Sequence, residues 1–305
     1  MTLALSTAYG AKNASSWQAL LESTQRAGFK AVELNVEIPD SWLSEIEKSV
    51  TRGEVSVLSV HNYCPKIQEL PKGRTIYSGY LLTSDDAQER YNAITYTKKS
   101  IETAKHVGAK FVVVHCGEVP SSPDGHELLK KFTLFGANRE YLKDLEDLRI
   151  RRAANAGKYL ERLYSSLDEL ANFAAKNGIA LGLENRFYTH EIPSTQELCD
   201  IFDKFVGAPL YYWHDNGHAE VFSRMLWSKN HIEIIAPLAK HIGGFHLHDL
   251  RKIVDHYAPG SGDFDFKCLL PYIKKEHCLV VEAHSKSTFD ELSNSIKYLN
   301  SISIA

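Results

Sequence analysis

The sequence predicts an α/β fold, a closed (β/α)8 barrel with an enlarged helical insertion after the fourth strand. Three observations support this. Short apolar runs alternate with longer helical patterns, as in chains built from βαβ units. Eight such runs fit within 305 residues, a length normal for one barrel. Several of the later runs end in acidic or imidazole side chains, which a parallel barrel would gather at one mouth. The expected organisation is therefore a single barrel domain over residues 1–305. An open doubly wound sheet is the alternative, but no glycine-rich phosphate loop follows the first strand.

The first strand reads Leu3 to Ser6. The following pattern places Trp17, Leu20, Leu21 and Thr24 on one helical face and stops at Gly28, a good residue just past a helix end. Ala31–Val36 is the second strand, and a short helix carries Leu43, Ile46 and Val50 inward until Gly53. The third strand, Val55–His61, leads into an irregular stretch rich in Pro, Gly and Tyr, too long for a plain connection and so read as a functional loop. Ser84 is the expected cap of a helix carrying Ile94, Ile101 and Ala104 and ending at Gly108, followed by the fourth strand, KFVVVHC.

The insertion runs from Gly117 to Gly178, a loop at VPSSPDG and then a helical pattern from about Glu140 to Lys176. Its basic run, Arg149 to Arg152, reads as a solvated helix face. The fifth strand is IALGLEN, and Ser194 with Glu197 forms a capping box for the next helix. The sixth strand ends in HDNGHAE, the seventh is IGGFHLHD, the eighth is CLVVEAH, and a last helix carries Phe289, Leu292, Ile296 and Leu299.

Bulk composition excludes some classes. Net charge is −3 with a pI near 6.5, so no basic balance points to nucleic acid or an anionic membrane. Five scattered cysteines without a CxxC pair fit a reducing compartment. No apolar run is long enough to span a bilayer, and no signal-like segment opens the chain, so the expected location is the cytoplasm.

The functional reading rests on the strand ends. Asp215 ends an apolar run, His218 follows three residues later, and Gly217 between them is read as allowing a sharp turn. Glu184, His246 and Glu282 end three other runs, and His61 and His115 end two more. Taken singly, each has a plain structural role open to it: a satisfied core histidine, or a turn pair. Together at one mouth, the carboxylates would repel and desolvate one another. A divalent cation removes that conflict, and mixed carboxylate and imidazole donors suit Mn²⁺, Zn²⁺, Co²⁺ or Fe²⁺ better than Ca²⁺. His248 and Asp249 read as supporting or loop-anchoring residues. His241, His277 and His284 read as surface or helix-flank residues, and Cys64 and Cys116 are not taken as ligands.

At these residues the chain resembles the xylose isomerase-like TIM barrel superfamily, which includes sugar isomerases and epimerases, inosose dehydratases and the endonuclease IV branch of apurinic-site nucleases. The resemblance covers essentially the whole chain through SVHNYCP, VVVHCG, GLEN, HDNGHA, GFHLHD, HYAPGSGDFDF and VVEAH. It implies Glu184, Asp215, His246 and Glu282 as ligands of one divalent cation (Mn²⁺, Zn²⁺ or Co²⁺), with Glu184 and Glu282 also acting as acid and base on either side of an enediolate. His61, His115, His218 and His256 are then substrate contacts or ligands of a second metal. Arg251 (or its neighbour Lys252), Tyr63 and Asn185 are candidate substrate contacts, and Tyr77, Tyr80 and Phe187 are candidate stacking platforms.

The expected activity is isomerisation or epimerisation of a sugar, sugar phosphate or polyol, with an inosose dehydratase-like lyase beside it. The alternative is an endonuclease IV-like metal-dependent phosphodiesterase, and a binding barrel without chemistry is the third reading. The nuclease branch calls for an aspartate two residues before His256, where this chain has Val254; Asp255, one residue along, is not taken as equivalent. The expected partner is a small sugar or polyol, not a membrane or a nucleic acid. An exposed face on the helical insertion offers a surface for a homo-oligomer. The loop from Asn62 to Asp86 and the start of the insertion are expected to decide the substrate.

Overall fold

Eight parallel strands close into a ring in the computed structural model, which describes residues 1–304. They are Leu3–Ser6, Ala31–Leu34, Ser56–His61, Phe111–Val114, Ala180–Glu184, Leu210–Asp215, Ile242–Leu247 and Cys278–Val281. Neighbours in the ring follow chain order, and the eighth strand closes on the first, with Leu3 beside Leu279 and Leu5 beside Val281. The expected (β/α)8 barrel is therefore the observed architecture.

Side chains alternate between two cores because a strand has period two. Outward-facing residues join the large core shared with the helices. Inward-facing Ala4, Ala31, Val113, Trp213, Cys278 and Val280 form a separate small cluster. Trp213 is its plug. Gly182 and Gly244 on the flanking strands make room for it: a Cβ at Gly244 would stand 2.4 Å from the indole. The indole centre lies 5.4 Å from the His246 ring, so the plug is an apolar floor beneath the barrel mouth.

Most helices fall where the patterns placed them. Trp17–Arg26 buries Trp17, Leu20, Leu21 and Thr24 and is capped by Ser16. Ser194 and Glu197 form the expected capping box of Thr195–Lys204. The helix Ala87–His106 is capped by Asp86 instead of Ser84, whose hydroxyl accepts the Asp86 amide and donates to Glu89.

The insertion holds two helices, Gly125–Phe135 and the 39-residue Arg139–Asn177. The first was not expected, although Asp124 and Glu127 form a capping box at its start. Arg152 in the basic run is not solvated: its side chain is 11% exposed and clasps Glu197 at 2.7 and 2.8 Å.

The seventh unit departs from the plain βα pattern. Its strand is followed by a hairpin, Asp249–Arg251 against Val254–Tyr257, and then a 3-10 turn, Phe266–Leu269. Asp249 anchors this loop, as expected. Its carboxylate accepts the amides of Leu250, Gly260, Gly262 and Phe264. Among the described residues no helix is long and apolar enough to cross a membrane.

Candidate metal centre

Period two also builds the site. Inward-facing Ala31, Gly182, Trp213, Gly244 and Val280 are each followed two residues later by Glu33, Glu184, Asp215, His246 and Glu282. These polar side chains therefore share the barrel interior, one layer above the Trp213 plug. Donor atoms of Glu184, Asp215, His246 and Glu282 all lie within 4.8 Å of one another, and all four residues are buried.

His246 is the hub. Its Nδ1 faces Glu184 Oε1 at 2.8 Å, Glu282 Oε2 at 3.1 Å and Asp215 Oδ2 at 3.7 Å. Its Nε2 faces both oxygens of Glu33 at 3.1 Å, and Ser59 donates to the same carboxylate at 2.7 Å. With Nε2–H donated to Glu33, the Nδ1 lone pair would meet three carboxylates unless a positive charge stands there. Burial opposes charging His246, but Glu282, Glu33 and Glu184 hold its pKa well above the ordinary value. A proton on Nδ1, or a cation in its place, would relieve the same repulsion. Burial pushes Glu184 up, yet His246 and His115 hold it well below the usual carboxylate range. Four buried carboxylates around one imidazole fit a divalent ion with O and N donors, and a carboxylate behind the ligand histidine is the usual means of orienting it.

Glu184 has two sides. Oε1 faces His246, whereas Oε2 faces His115 Nε2 at 2.7 Å, Arg186 at 3.4 Å and His61 Nε2 at 3.6 Å. His61, His115 and Glu184 form a second potential ligand group. Nδ1 of His61 points at the Asn62 carbonyl (3.1 Å), that of His115 at the Tyr77 carbonyl (3.3 Å), and that of His218 at the Asn185 carbonyl (3.0 Å). Each carbonyl takes the Nδ1 proton and leaves Nε2 as the free donor atom. His115 sharpens the point. Burial and Arg186 lower its pKa to about 4, so it holds one proton and cannot donate from both nitrogens.

A third group joins Asp215, His218, His248 and His256. His248 is excluded as a ligand, in line with its expected supporting role. Its Nδ1 accepts the His256 amide at 2.9 Å, and its Nε2 therefore donates to Asp215 at 2.9 and 3.0 Å. Asp255 turns inward, 3.0 Å from His256 Nδ1 and 3.9 Å from His218 Nε2, while Val254 is exposed. The left-handed backbone of His256 (φ 55°) accompanies this turn, so the one-residue offset still delivers a carboxylate. Burial opposes it, but Asp255 and Glu282 push the His256 pKa up to about 10. Without a cation beside it, these carboxylates favour the imidazolium form of His256.

Gly217 does not make a sharp turn. It lies in the helix Asn216–Arg224 without a positive φ. Its importance is the close approach of His248, whose Cε1 would lie 1.9 Å from an added Cβ. Gly217→Ala is expected to push His248 off Asp215 and cost about 1–3 kcal/mol. Thermal denaturation reads this, and an unchanged Tm would remove the account.

Three candidate substrate contacts lie elsewhere. Tyr63 is buried, its hydroxyl spent on the Tyr80 carbonyl at 2.6 Å. Both ends of the Asn185 side chain hold the sixth strand, accepting from the Asp215 amide and Tyr212 and donating to the Asp215 carbonyl. Arg251 is drawn to Glu291 at 2.5 Å and packs on Tyr257.

Three residues were missed. Glu33 and Arg186 were legible only as charges in or just after apolar strands. His284 was read as peripheral, yet it stacks on His256 at 4.0 Å and lines the mouth. The mouth is a cavity of about 170 Å³ lined by His61, Tyr77, Glu184, Arg186, Glu282 and His284, among others.

The model of the xylose isomerase-like TIM barrel family matches residues 21–302. No curated protein matches the sequence. Solved structures resemble the fold along nearly its full length. A D-tagatose 3-epimerase-like protein aligns with TM-score 0.69 and 19% identity, covering 99% of this chain and 97% of that one. The 3-keto-D-glucoside 4-epimerase from E. coli aligns with TM-score 0.68 and 15% identity over 99% of both chains. D-Psicose 3-epimerase from Clostridium cellulolyticum H10, solved with D-tagatose, aligns with TM-score 0.68 and 13% identity, again over 99% of both.

Proposed function

We propose that this chain, which belongs to the xylose isomerase-like TIM barrel family, is a divalent-metal-dependent isomerase or epimerase of a sugar or polyol. The observation that carries the reading is the hub at His246: Glu184, Asp215 and Glu282 converge on its Nδ1, and Glu184 and Glu282 line the cavity at the barrel mouth. The epimerases named above share the fold, which supports the sugar as substrate class. A divalent ion held by Glu184, Asp215, His246 and Glu282 would supply Lewis-acid polarisation of a substrate carbonyl.

The protein's own groups divide the proton work. The Glu282 carboxylate faces His246 and His256 through Oε2, and among the described residues Oε1 has no hydrogen-bond partner. Oε1 of Glu282 is the base that takes the proton beside the carbonyl, giving an enediolate. Glu184 stands across the hub with Oε2 against His115 and Arg186, and from that side it returns or relays a proton. Arg186 offers a fixed charge beside the developing oxyanion. An inosose-type dehydration would use the same proton abstraction.

A second reading has its own observation: the free Nε2 atoms of His61 and His115 aimed at Oε2 of Glu184. A second ion held there by His61, His115 and Glu184 would supply the two-metal chemistry of a metal-dependent phosphodiesterase. Arg186 at the same oxygen already supplies positive charge, which favours the single-ion reading.

Elemental analysis of protein purified without chelators separates the two. About one Mn, Co or Zn per chain, lost in Glu184→Gln, is expected. Two or more zinc ions per chain, with cleavage of a duplex containing an abasic site, would move the assignment to the phosphodiesterase. No bound metal after reloading would end both.

A further inference from the structure

Beside the metal centre lies a larger hollow that the steps above do not use. Its volume is about 400 Å³ against about 170 Å³ for the mouth, and the two share Tyr77, His115 and Arg186. Its walls come from the loops after the third, fourth and fifth strands, through Arg74, Glu118, His126, Tyr188, His190 and Glu191. A short antiparallel ladder, Gly117–Glu118 with Glu191–Ile192, ties two of these loops together. The ladder braces two of the three walls, which limits the ordering cost of binding.

Its charges cancel. Arg74 is paired with Glu118 at 3.1 Å, and Arg186 with Glu191 at 2.9 Å. Burial lowers the pKa of His190, and its Nδ1 accepts the Gly125 amide at 3.0 Å, so this ring is neutral. The helix Gly125–Phe135 begins at this wall, but Asp124 and Glu127 cap it and His190 takes the Gly125 amide. A phosphate would find both arginines already paired here, and two of the helix-start amides taken. What the hollow does offer is balanced donors and acceptors around an aromatic face. The Tyr188 and His126 rings stand 3.9 Å apart at the rim. Paired polar groups beside an aromatic surface suit an uncharged ring rich in hydroxyls.

We propose that this compartment binds a second, uncharged sugar ring, so that the substrate is a glycoside of the reacting sugar and not a free or phosphorylated monosaccharide. The inference rests on the sugar reading of the metal centre. It assigns specificity to three loops, with Tyr188 and His126 as the platform for the second ring.

Calorimetric titration of the Mn²⁺-loaded protein tests it without relying on turnover. The probes are fructose, fructose 6-phosphate and the neutral fructose disaccharides lactulose, isomaltulose and turanose, which differ in the oxygen that carries the second ring. At least one disaccharide is expected to bind about tenfold or more tighter than fructose, the scale of one well-seated aromatic contact. Fructose 6-phosphate is expected to gain nothing. His126→Ala, at an exposed position, and Tyr188→Ala are each expected to shrink the disaccharide-to-fructose ratio severalfold. Fructose binding without any gain from a second ring, or fructose 6-phosphate binding tightest, overturns the compartment's role and leaves the metal-centre reading standing. Binding of no ketose at all removes the sugar reading, and this inference with it.

Discussion

Glu184→Gln is expected to lower turnover by about a hundredfold to ten-thousandfold, the range for loss of a positioned acid or base, and to release the bound metal. The glutamate serves two neighbours at once: Oε1 lies 2.8 Å from His246 and Oε2 lies 2.7 Å from His115. Glutamine keeps the shape but turns one oxygen into a donor and removes the charge. Arg186 retains Glu191 as partner, and one of four mutually repelling buried carboxylates is gone. The metal-free variant should therefore keep its fold, with a Tm within a few degrees of the parent. Steady-state kinetics, metal content and thermal denaturation are read together. If Glu184→Gln and Glu282→Gln both turned over within a few-fold of the parent, the acid–base assignment would be wrong.

Glu33→Ala is the second large effect, and a residue inside a strand supplies it. Glu33 is fully buried and receives the Nε2–H of His246 and the hydroxyl of Ser59. Alanine leaves both donors without an acceptor, at about 1–3 kcal/mol for each. It also frees the His246 ring to rotate, so metal affinity should fall about 10–100-fold, as when other carboxylates behind ligand histidines are removed. Glu33→Gln, which keeps an acceptor oxygen, should recover part of the affinity and separate ring orientation from charge. Competition with a chelating dye measures both variants. Unchanged metal affinity in Glu33→Ala would show that Glu33 only fills space.

The strand ends were legible because they obey a local rule. An apolar run closed by Glu, Asp or His puts the polar group at a barrel mouth, and period two then decides its face. That rule reached Glu184, Asp215, His246 and Glu282, and it reached His61 and His115. Glu33 escaped because it lies one residue inside its strand, where an isolated acidic residue has no local meaning until His246 appears opposite. Arg251 and Asn185, read from the sequence as substrate contacts, have partners the sequence did not reveal. Their side chains are spent on Glu291 and on the sixth strand, partners that no spacing reveals. Asp255 looked displaced by one residue, yet the left-handed backbone at His256 accompanies its turn inward, and such a conformation in a histidine is not written in the sequence around it.

The sequence by itself therefore determined the barrel, its helical insertion and a set of acidic and imidazole groups at one mouth. Those features follow from periodicity along the chain and from the cost of burying like charges together. Only the tertiary structure decided which nitrogen of each histidine faces the centre, that Glu33 stands behind His246 and Arg186 beside Glu184, and that three loops enclose a second compartment with paired charges. These depend on distances between residues far apart in the chain and on loop conformations, and neither has a period to read.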